Sequence, residues 1–222
     1  AMTDTSLPST EPPRLQLNGP VPDFTAKTTH GELTLSTWEK DKWVILFSHP
    51  ADFTPVCTTE FMAFAKLHDE FRKRNVALLG NSIDSVHSHI AWVRNIQEKF
   101  GVTIPFPIIA DLDMKVAKLY GMIHTPSSET AAVRAVFFID PKRRLRAMIY
   151  YPLNVGRNFD EILRAVDALQ TTDAHAVACP ADWRPGDKVI VPPPATIRDA
   201  DARMGKAGEW DVVDWYFTKR AL

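Results

Sequence analysis

The amino-acid sequence predicts an α/β fold, with helices on both faces of a central sheet. Apolar runs of strand length alternate with segments of helical apolar spacing, and two successive strands followed by a helix close this pattern. After Gln170 the composition changes, and this change predicts an extended C-terminal arm. We therefore expect a mobile lead-in over residues 1–19, a main domain over residues 20–170 and the arm over residues 171–222.

The first half of the main domain begins with strands and continues into a helix. The segment DFTAKTTHGELTLSTW alternates in polarity around His30 and Gly31, which predicts a hairpin. KWVILFSH is a continuous apolar run, as in a central strand that is buried on both faces. TTEFMAFAKLHDEFRKRN predicts one helix, because one stripe of it recurs at helical spacing: Phe61, Phe64, Leu67, His68 and Phe71.

The second half repeats the alternation of strands and helices. Gly101 is expected to end one of these helices, and Asn158 is expected to cap the N-terminus of the last one. The predicted elements, in order, are the strand VALLGNSID, the helix SVHSHIAWVRNIQEKFG, the strand FPIIAD, the helix DMKVAKLYG, the strands RAVFFID and LRAMIYYP, and the helix NFDEILRAVDALQ.

The arm is rich in proline and carries three of the six tryptophans. Such a segment makes a poor core of its own, so we expect its aromatic side chains to pack against the main domain or a second subunit. The same packing is expected of Trp215–Phe217.

Composition and charge exclude several classes of function. A formal net charge of −1 argues against a large basic surface for nucleic acid. No apolar run reaches the roughly 20 residues that cross a membrane, and the N-terminal residues do not have the pattern of a secretory signal. Only two cysteines are present, which favours a reducing compartment and hence the cytoplasm.

The stretch HPADFTPVCTTE places Cys57 at the start of a predicted helix. Thr54 followed by Pro55 is a helix start signal, so Cys57 falls in the first turn, near amides that lack a helical acceptor. Lowering a thiol pKa from about 8.5 to about 6 takes roughly 3.4 kcal/mol, and a helix end supplies about 0.3–1 kcal/mol. An activated thiolate therefore needs a cation as well, and an arginine suits best. The spacing leaves open which arginine supplies the charge.

Pro50, Thr54 and Cys57 match the Pro-x-x-x-Thr-x-x-Cys signature of the peroxiredoxins. FSHPADFTPVCTTE is similar to the one-cysteine subfamily, whose C-terminal extension also resembles ADWRPGD in the arm. Further segments sit where that family has similar ones: NSIDSVHSHIAW, PFPIIAD, RAVFFID and YPLNVGRNFDEILRAVDALQ. The resemblance covers most of the chain and implies a thioredoxin-like fold with a central mixed sheet.

The resemblance implies roles for four catalytic residues. Cys57 would attack a peroxide oxygen and become a sulfenic acid. Thr54 would hydrogen bond the peroxide, and Pro50 would shield the sulfur from water. Arg134 would be the missing cation, and it would stabilise charge that develops across the breaking O–O bond.

Three further residues are assigned supporting roles on the same resemblance. Glu60 would hold the catalytic arginine, and Arg157 would be a second basic neighbour. His49 would orient the peroxide, or accept a hydrogen bond, or only cap the end of its strand.

The resulting expectation is a thiol peroxidase that reduces hydrogen peroxide and small organic hydroperoxides in antioxidant defence and redox homeostasis. No metal, haem or flavin is expected, because the sulfur itself carries the redox change. The expected partners are a small thiol or a thioredoxin- or glutaredoxin-type reductant, and a second copy of the chain in a homodimer or a larger ring. Neither nucleic acid nor a membrane is expected as a partner.

Several alternatives compete with this interpretation. A dithiol oxidoreductase would carry Cys-x-x-Cys, but Thr54 occupies the first position of that motif. Nothing marks the oxyanion hole of a cysteine hydrolase beside His49. A metal site is not expected, because His87 and His89 point to different faces of their helix. A redox-sensing or holdase protein on the same fold remains open.

Two positions bear on further activities. Some one-cysteine relatives are credited with phospholipase activity, but Lys42 and Ser36 occupy the positions of the required serine and histidine. We therefore do not expect that activity. Cys179 is either a small buried filler or a resolving cysteine that forms a disulfide with Cys57.

Overall fold

The computed structural model describes residues 14–222, so residues 1–13 of the expected lead-in lie outside the described residues. The chain divides into two compact units, one ending at Arg157 and one spanning Asn158–Leu222. The sequence-based boundaries at residues 20 and 170 stay predictions. In the part of the chain that the structure describes, no helix is long and apolar enough to span a membrane.

Within residues 14–157, the first unit contains four helices and one mixed sheet of seven strands. The strands are ordered β2-β1-β5-β4-β3-β6-β7, with β3, β4 and β5 parallel and the remaining neighbours antiparallel. The strands are β1 (Thr25–Thr28), β2 (Gly31–Thr34), β3 (Trp43–Ser48), β4 (Val76–Ser82), β5 (Ile108–Ala110), β6 (Arg134–Ile139) and β7 (Leu145–Tyr151). The helices are α1 (Pro55–Lys66), α2 (His68–Lys73), α3 (Val86–Phe100) and α4 (Lys115–Leu119).

Helices cover both faces of the sheet, as the sequence predicts. All six residues of β3 are buried, because this strand lies between β4 and β6 with a layer on each side. On one face Phe47 stacks on Phe64 of α1, with ring centroids 4.0 Å apart. On the other face Leu46 packs in the cluster that includes Val116 of α4. The thioredoxin-like fold is therefore confirmed.

Helix boundaries agree with the sequence except at one break and at the end of the last predicted helix, which continues to His175 instead of ending at Gln170. α3 ends at Gly101, whose φ of 69° is the left-handed conformation that glycine adopts without strain. The single helix predicted after the cysteine loop is instead two helices, separated at Leu67, where φ is −96° and ψ is 3°. The apolar stripe continues across this break, so periodicity alone does not reveal it.

Part of the expected lead-in pairs with the sheet. The backbone amide of Asn18 donates to Leu145 O at 2.6 Å, and the amide of Leu145 donates to Gly19 O at 2.9 Å. Residues 18 and 19 are therefore held by backbone hydrogen bonds to β7, and the expectation of a mobile segment is wrong for them.

The second unit begins with α5 (Phe159–His175), which Asn158 caps by accepting a hydrogen bond from the amide of Glu161. The remainder has more regular structure than the extended arm that the sequence predicts. It contains a three-stranded sheet of order β8-β10-β9 and one further helix. These elements are β8 (Val189–Ile190), α6 (Ile197–Met204), β9 (Asp211–Asp214) and β10 (Phe217–Arg220).

The aromatic residues of the arm differ in burial. Trp183 is buried beside Val177 and Val189 within its own unit. Trp215, Tyr216 and Phe217 remain 42%, 55% and 39% exposed. Their packing against the main domain or a second subunit stays a prediction.

Candidate active site

The loop between β3 and α1 brings the cysteine to the start of a helix. Phe53 in this loop has a φ of 54°, in the left-handed region, which costs a non-glycine residue about 1–3 kcal/mol. Thr54 is extended, with φ −116° and ψ 146°, and Pro55 opens α1. The Thr54 hydroxyl donates to Ala51 O at 2.8 Å, so its oxygen keeps lone pairs that can accept a hydrogen bond.

Cys57 occupies the third position of α1 and is fully buried. Its backbone amide belongs to the first turn, where amides have no acceptor within the helix. Its Sγ lies 3.3 Å from Nη1 of Arg134, the first residue of β6. The sulfur thus faces both a helix N-terminus and a guanidinium, and both favour its thiolate form.

The arginine beside the sulfur is fixed by two other partners. Its Nη1 also donates to Glu60 Oε2 at 2.8 Å. Its Nε and Nη2 donate to the carbonyl oxygen of Leu153 at 2.9 and 2.7 Å. With these bonds Arg134 has one orientation, in which the same Nη1 reaches both the sulfur and the carboxylate.

Glu60 joins the two arginines that the sequence singled out. Its Oε1 accepts from both the backbone amide and Nε of Arg157 at 2.9 Å, and its Oε2 accepts from Nη2 at 2.7 Å. Nη1 of Arg157 donates to the carbonyl oxygens of Ser48 and Ala135, each at 2.9 Å. All three charged side chains are at most 3% exposed.

The buried network carries one more positive than negative charge. Arg134 and Arg157 are balanced by Glu60 alone, and a thiolate at Cys57 would make the group neutral. Burial raises the pKa of Glu60, but the positive charges and hydrogen bonds of Arg157 and Arg134 lower it by more, so it lies below its usual range. The carboxylate therefore stays ionised and neutralises one of the two guanidinium groups. The remaining positive charge is available to pair with a thiolate at Cys57.

Glu60→Gln is expected to lower the free energy of unfolding by about 3–5 kcal/mol, because it leaves two buried guanidinium groups without their shared anion. Urea unfolding at neutral pH measures the loss. Since the pKa of Glu60 is lowered by folding, the stability from its ionisation is present above its ordinary pKa and lost as the pH falls through the lowered value. The difference between the two proteins should therefore shrink in acid.

A matched control is Glu70→Gln on α2, where the carboxylate pairs with Lys73 and Arg74 at the surface. Exposed pairs contribute little to stability, so this variant is expected to unfold close to the wild type. Equal losses in the two variants would contradict a special contribution from the buried network.

Pro50 and His49 lie where β3 leads into the loop. Pro50 is half-buried, while His49 is fully buried. The His49 ring packs edge-on against Phe61, which lies one turn after Cys57 on α1, with centroids 4.7 Å apart. His49 Nε2 lies 2.8 Å from Asp52 Oδ1. Burial lowers the pKa of His49 despite the hydrogen bond and the charge of Asp52.

The polar residues around His49 are not predicted from the sequence. Asp52 Oδ2 lies 2.7 Å from His89 Nδ1 and accepts from the Ser88 hydroxyl at 2.9 Å. Asp84 is adjacent, because its Oδ2 accepts from the amide of Asp52 at 3.1 Å. The spacing of His49 and Asp52 is a weak local signal, but nothing in the sequence indicates that α3 would bring His89 to them.

Four of these side chains have the spacing of a possible metal site. One ligand atom from each of His49, Asp52, Asp84 and His89 lies within 4.8 Å of the others. From the sequence no metal site is expected, because His87 and His89 point to different faces of their helix, and this cluster was not foreseen. Both nitrogens of His89 and both oxygens of Asp52 already have hydrogen-bond partners, so a metal would have to displace those bonds.

Cys179 lies in the second unit and is half-buried. Its thiol is 3.8 Å from the carbonyl oxygen of Ala168, and burial raises its pKa although Arg164 opposes the shift. Both cysteines are free thiols. A raised pKa suits a structural cysteine better than an attacking one, and the resolving role stays a prediction.

A buried cysteine between a helix N-terminus and an arginine, on a thioredoxin-like fold, defines the class of thiol-dependent oxidoreductases. Residues 17–148 match the model of the AhpC/TSA family, and residues 168–207 match the C-terminal domain of 1-Cys peroxiredoxin. A peroxiredoxin of Aquifex aeolicus is 57% identical over 217 residues, which cover 93% of this chain and 97% of that protein. The chain belongs to the peroxiredoxin family and is a thiol peroxidase.

Two solved structures and a further sequence relative agree with this assignment. A yeast mitochondrial 1-Cys peroxiredoxin is 42% identical, with a TM-score of 0.82, and the match covers 94% of this chain and all of that one (100%). Peroxiredoxin 6 of Arenicola marina is 41% identical, with a TM-score of 0.77 over 85% of this chain and 88% of that one. Peroxiredoxin 2 of Caldanaerobacter subterraneus is 54% identical in sequence over 90% of each chain.

Proposed function

We propose that Cys57 is the peroxidatic nucleophile for hydrogen peroxide and small organic hydroperoxides. One observation carries the proposal. The buried sulfur of Cys57, at the start of α1, lies 3.3 Å from Nη1 of Arg134. The thiolate attacks one peroxide oxygen, an S–O bond forms and the O–O bond breaks. The sulfur is oxidised to a sulfenic acid, and the departing oxygen takes a proton and leaves as water or an alcohol.

Three residues shape this step. The hydroxyl oxygen of Thr54 accepts a hydrogen bond from the peroxide, because its own hydrogen is committed to Ala51 O. Pro50 offers no amide hydrogen and limits the access of water to the sulfur. Arg134 stabilises the negative charge that moves from the sulfur to the departing oxygen.

The supporting residues hold these groups in place. Glu60 fixes the guanidinium of Arg134, and Arg157 fixes Glu60 through three hydrogen bonds. His49 serves as a hydrogen-bond acceptor for the peroxide, since its burial and lowered pKa favour the neutral ring.

The reductant is a small thiol or a thioredoxin- or glutaredoxin-type protein. Two thiols from the reductant convert the sulfenic acid back to a thiol, with release of a disulfide and water. The yeast mitochondrial relative is described as resolving its thiol via glutathione/thioredoxin systems, which supports this part of the proposal. Under this proposal Cys179 is filler, and the reductant supplies the resolving thiols.

The proposal also includes a second copy of the chain and a compartment. The exposed aromatic residues Trp215, Tyr216 and Phe217 offer an apolar surface for a homodimer, and the family resemblance allows a larger ring. Two free thiols suit the reducing cytoplasm. The main domain over residues 20–170 would hold the peroxidase site, and the arm over residues 171–222 would serve dimerisation.

Intact-mass spectrometry after one equivalent of hydrogen peroxide tests this function. Wild type and Cys179→Ser are both expected to gain one oxygen at Cys57 within the mixing time, and dimedone should trap the product. A disulfide that requires both cysteines would instead indicate a two-cysteine mechanism. If Cys57 reacts no faster than a free thiol, the peroxidase role fails and a redox-sensing or holdase role takes its place.

A further inference from the structure

A chain of hydrogen bonds runs from His49 through Asp52 to His89 and ends at the backbone of β5. His49 Nε2 lies 2.8 Å from Asp52 Oδ1, and His89 Nδ1 lies 2.7 Å from Asp52 Oδ2. The second ring nitrogen of His89, Nε2, lies 2.9 Å from Ile109 O. Both histidine rings are fully buried, and the Asp52 side chain is 1% exposed.

The partners of these atoms decide where the hydrogens lie. The carbonyl oxygen of Ile109 can only accept, so His89 Nε2 carries a hydrogen. Burial raises the pKa of Asp52, but the hydrogen bonds from His49 and His89 lower it by more, to well below its usual range. Asp52 is therefore a carboxylate that can only accept, and His89 Nδ1 and His49 Nε2 each donate to it.

Within the described residues, this arrangement leaves one ring nitrogen of the hydrogen-bond chain, His49 Nδ1, without a partner. The hydrogen of His49 is on Nε2, so its Nδ1 carries a bare lone pair. No polar atom among residues 14–222 forms a hydrogen bond with this Nδ1, although it is buried. A buried acceptor without a donor is unfavourable and rare in folded proteins. The ring cannot easily turn to relieve it, because Phe61 and Trp92 pack against it with centroids 4.7 and 5.1 Å away.

We propose that Asp52 and His89 are positioning residues of the peroxide site. Together they hold His49 in the tautomer with hydrogen on Nε2, and they keep Nδ1 free to accept the O–H hydrogen bond of a bound hydroperoxide. The inference rests on the proposed function of Cys57, which lies one turn before Phe61 on α1. Neither positioning residue contacts the substrate, and each acts through His49.

The groups around this hydrogen-bond chain support fixed positions for its hydrogens. The Ser88 hydroxyl donates to Asp52 Oδ2, and the carboxylate of Asp84 accepts from the amide of Asp52 and from the Ser82 hydroxyl. The charged and titratable groups that these contacts bring to His89 are Asp52, Asp84 and His49. With one ring nitrogen on Asp52 and the other on Ile109 O, His89 anchors the carboxylate from the β5 side and cannot rotate without losing a bond.

Nitrogen NMR of the ¹⁵N-labelled full-length protein at neutral pH tests the hydrogen pattern directly. His49 is expected to show a protonated Nε2 and a bare Nδ1, and His89 is expected to show hydrogen on both nitrogens. The signals are assigned by their loss in His49→Asn and His89→Asn. A hydrogen on His49 Nδ1 would overturn the proposal, and so would signals that change when a metal chelator is added.

Kinetics separate positioning from mere structural support. His89→Leu removes the donor to Asp52, and the rate of Cys57 oxidation by hydrogen peroxide is expected to fall about 10- to 100-fold, at or below the lower end of the ~10²–10⁴-fold contributed by a positioned acid or base. His89→Asn places an amide donor near the position of Nδ1 and is expected to recover most of the rate. His87→Leu, on the exposed face of the same helix, is the matched control and should react like the wild type.

The rate of Cys57 alkylation by iodoacetamide distinguishes a positioning role from a general disruption of the site, because a disrupted site would also change this rate. The positioning role predicts wild-type alkylation in His89→Leu, because the thiolate and Arg134 are untouched. A wild-type peroxide rate in His89→Leu would overturn the proposal, as would an equal loss of both reactions. If His89→Leu does not fold, Asp52→Asn takes its place with the same expectations. Failure of the wild type to oxidise would instead refute the proposed function, and the NMR experiment would still decide the hydrogen pattern.

Discussion

Cys57→Ser is expected to lower the rate of reaction with hydrogen peroxide by more than about 10⁴-fold, on the scale seen when an enzyme loses its nucleophile. A serine hydroxyl is essentially un-ionised at neutral pH, and it cannot take up an oxygen atom as sulfur does. Stopped-flow tryptophan fluorescence or the consumption of peroxide by the reduced protein measures the loss. Because the side chains are similar in size, the substitution should leave the fold intact.

The matched control for this variant is Cys179→Ser, in which the only other thiol of the chain is removed. It is expected to consume peroxide at the wild-type rate. Circular dichroism and melting temperatures should agree among the three proteins. Substantial peroxide consumption by Cys57→Ser would contradict the assignment and would point to Cys179 as the reactive sulfur.

Arg134→Met is expected to slow the same reaction by about 10²–10³-fold, the size of effect found when one preorganised donor is removed from a transition state. The methionine keeps much of the side-chain volume but removes the Nη1 that lies 3.3 Å from the sulfur. The network then loses its excess positive charge, since Glu60 stays paired with Arg157. Both the peroxide reaction and iodoacetamide alkylation of Cys57 are expected to slow, because the thiolate itself is disfavoured.

Two further substitutions isolate the charge from the fold. Arg143→Met removes a guanidinium that donates to the carbonyl oxygens of Trp38 and Glu39, beyond the opposite end of β6. It should lower stability and leave the rate unchanged. Arg134→Lys retains a charge without the planar fork and should fall between methionine and arginine. If Arg134→Met oxidised at the wild-type rate, the helix N-terminus alone would have to activate the sulfur.

The proposed positioning chain and the catalytic arginine predict opposite patterns of reactivity. Loss of Arg134 should slow peroxide and iodoacetamide alike, whereas loss of His89 should slow peroxide only. The reason is that Arg134 contacts the sulfur, while His89 acts on His49 through Asp52. The two sets of variants therefore report separately on the activation of the thiolate and on the binding of the peroxide.

Local patterns in the sequence determined the frame of the site. The apolar run of β3, the start signal at Thr54 and Pro55, the stop at Gly101 and the cap at Asn158 are each read within a few residues. Backbone conformation, capping and strand burial depend on neighbours in the chain, so the sequence predicts them well. It therefore placed Cys57 in the first turn of a helix at the end of a buried strand.

Other features of the fold could not be predicted from local sequence patterns. The break at Leu67 interrupts a helix whose apolar stripe continues, and the short strands of the second unit leave little periodicity. The hydrogen bonds of residues 18 and 19 to Leu145 depend on a strand far along the chain. In each case a contact between distant segments competes with the local preference and decides the conformation.

The sequence by itself determined the fold class, the position of Cys57 and the need for a cation beside it. Only the family resemblance named Arg134, and only the tertiary structure shows the contact between residues 77 apart in sequence. The same holds for Glu60 with Arg157, 97 residues apart, and for Asp52 with His89, 37 apart. Periodicity indicates which face of a helix or strand is buried. It does not indicate which charged side chains come into contact there, because the register of β6 on β3 and the packing of α3 decide those contacts.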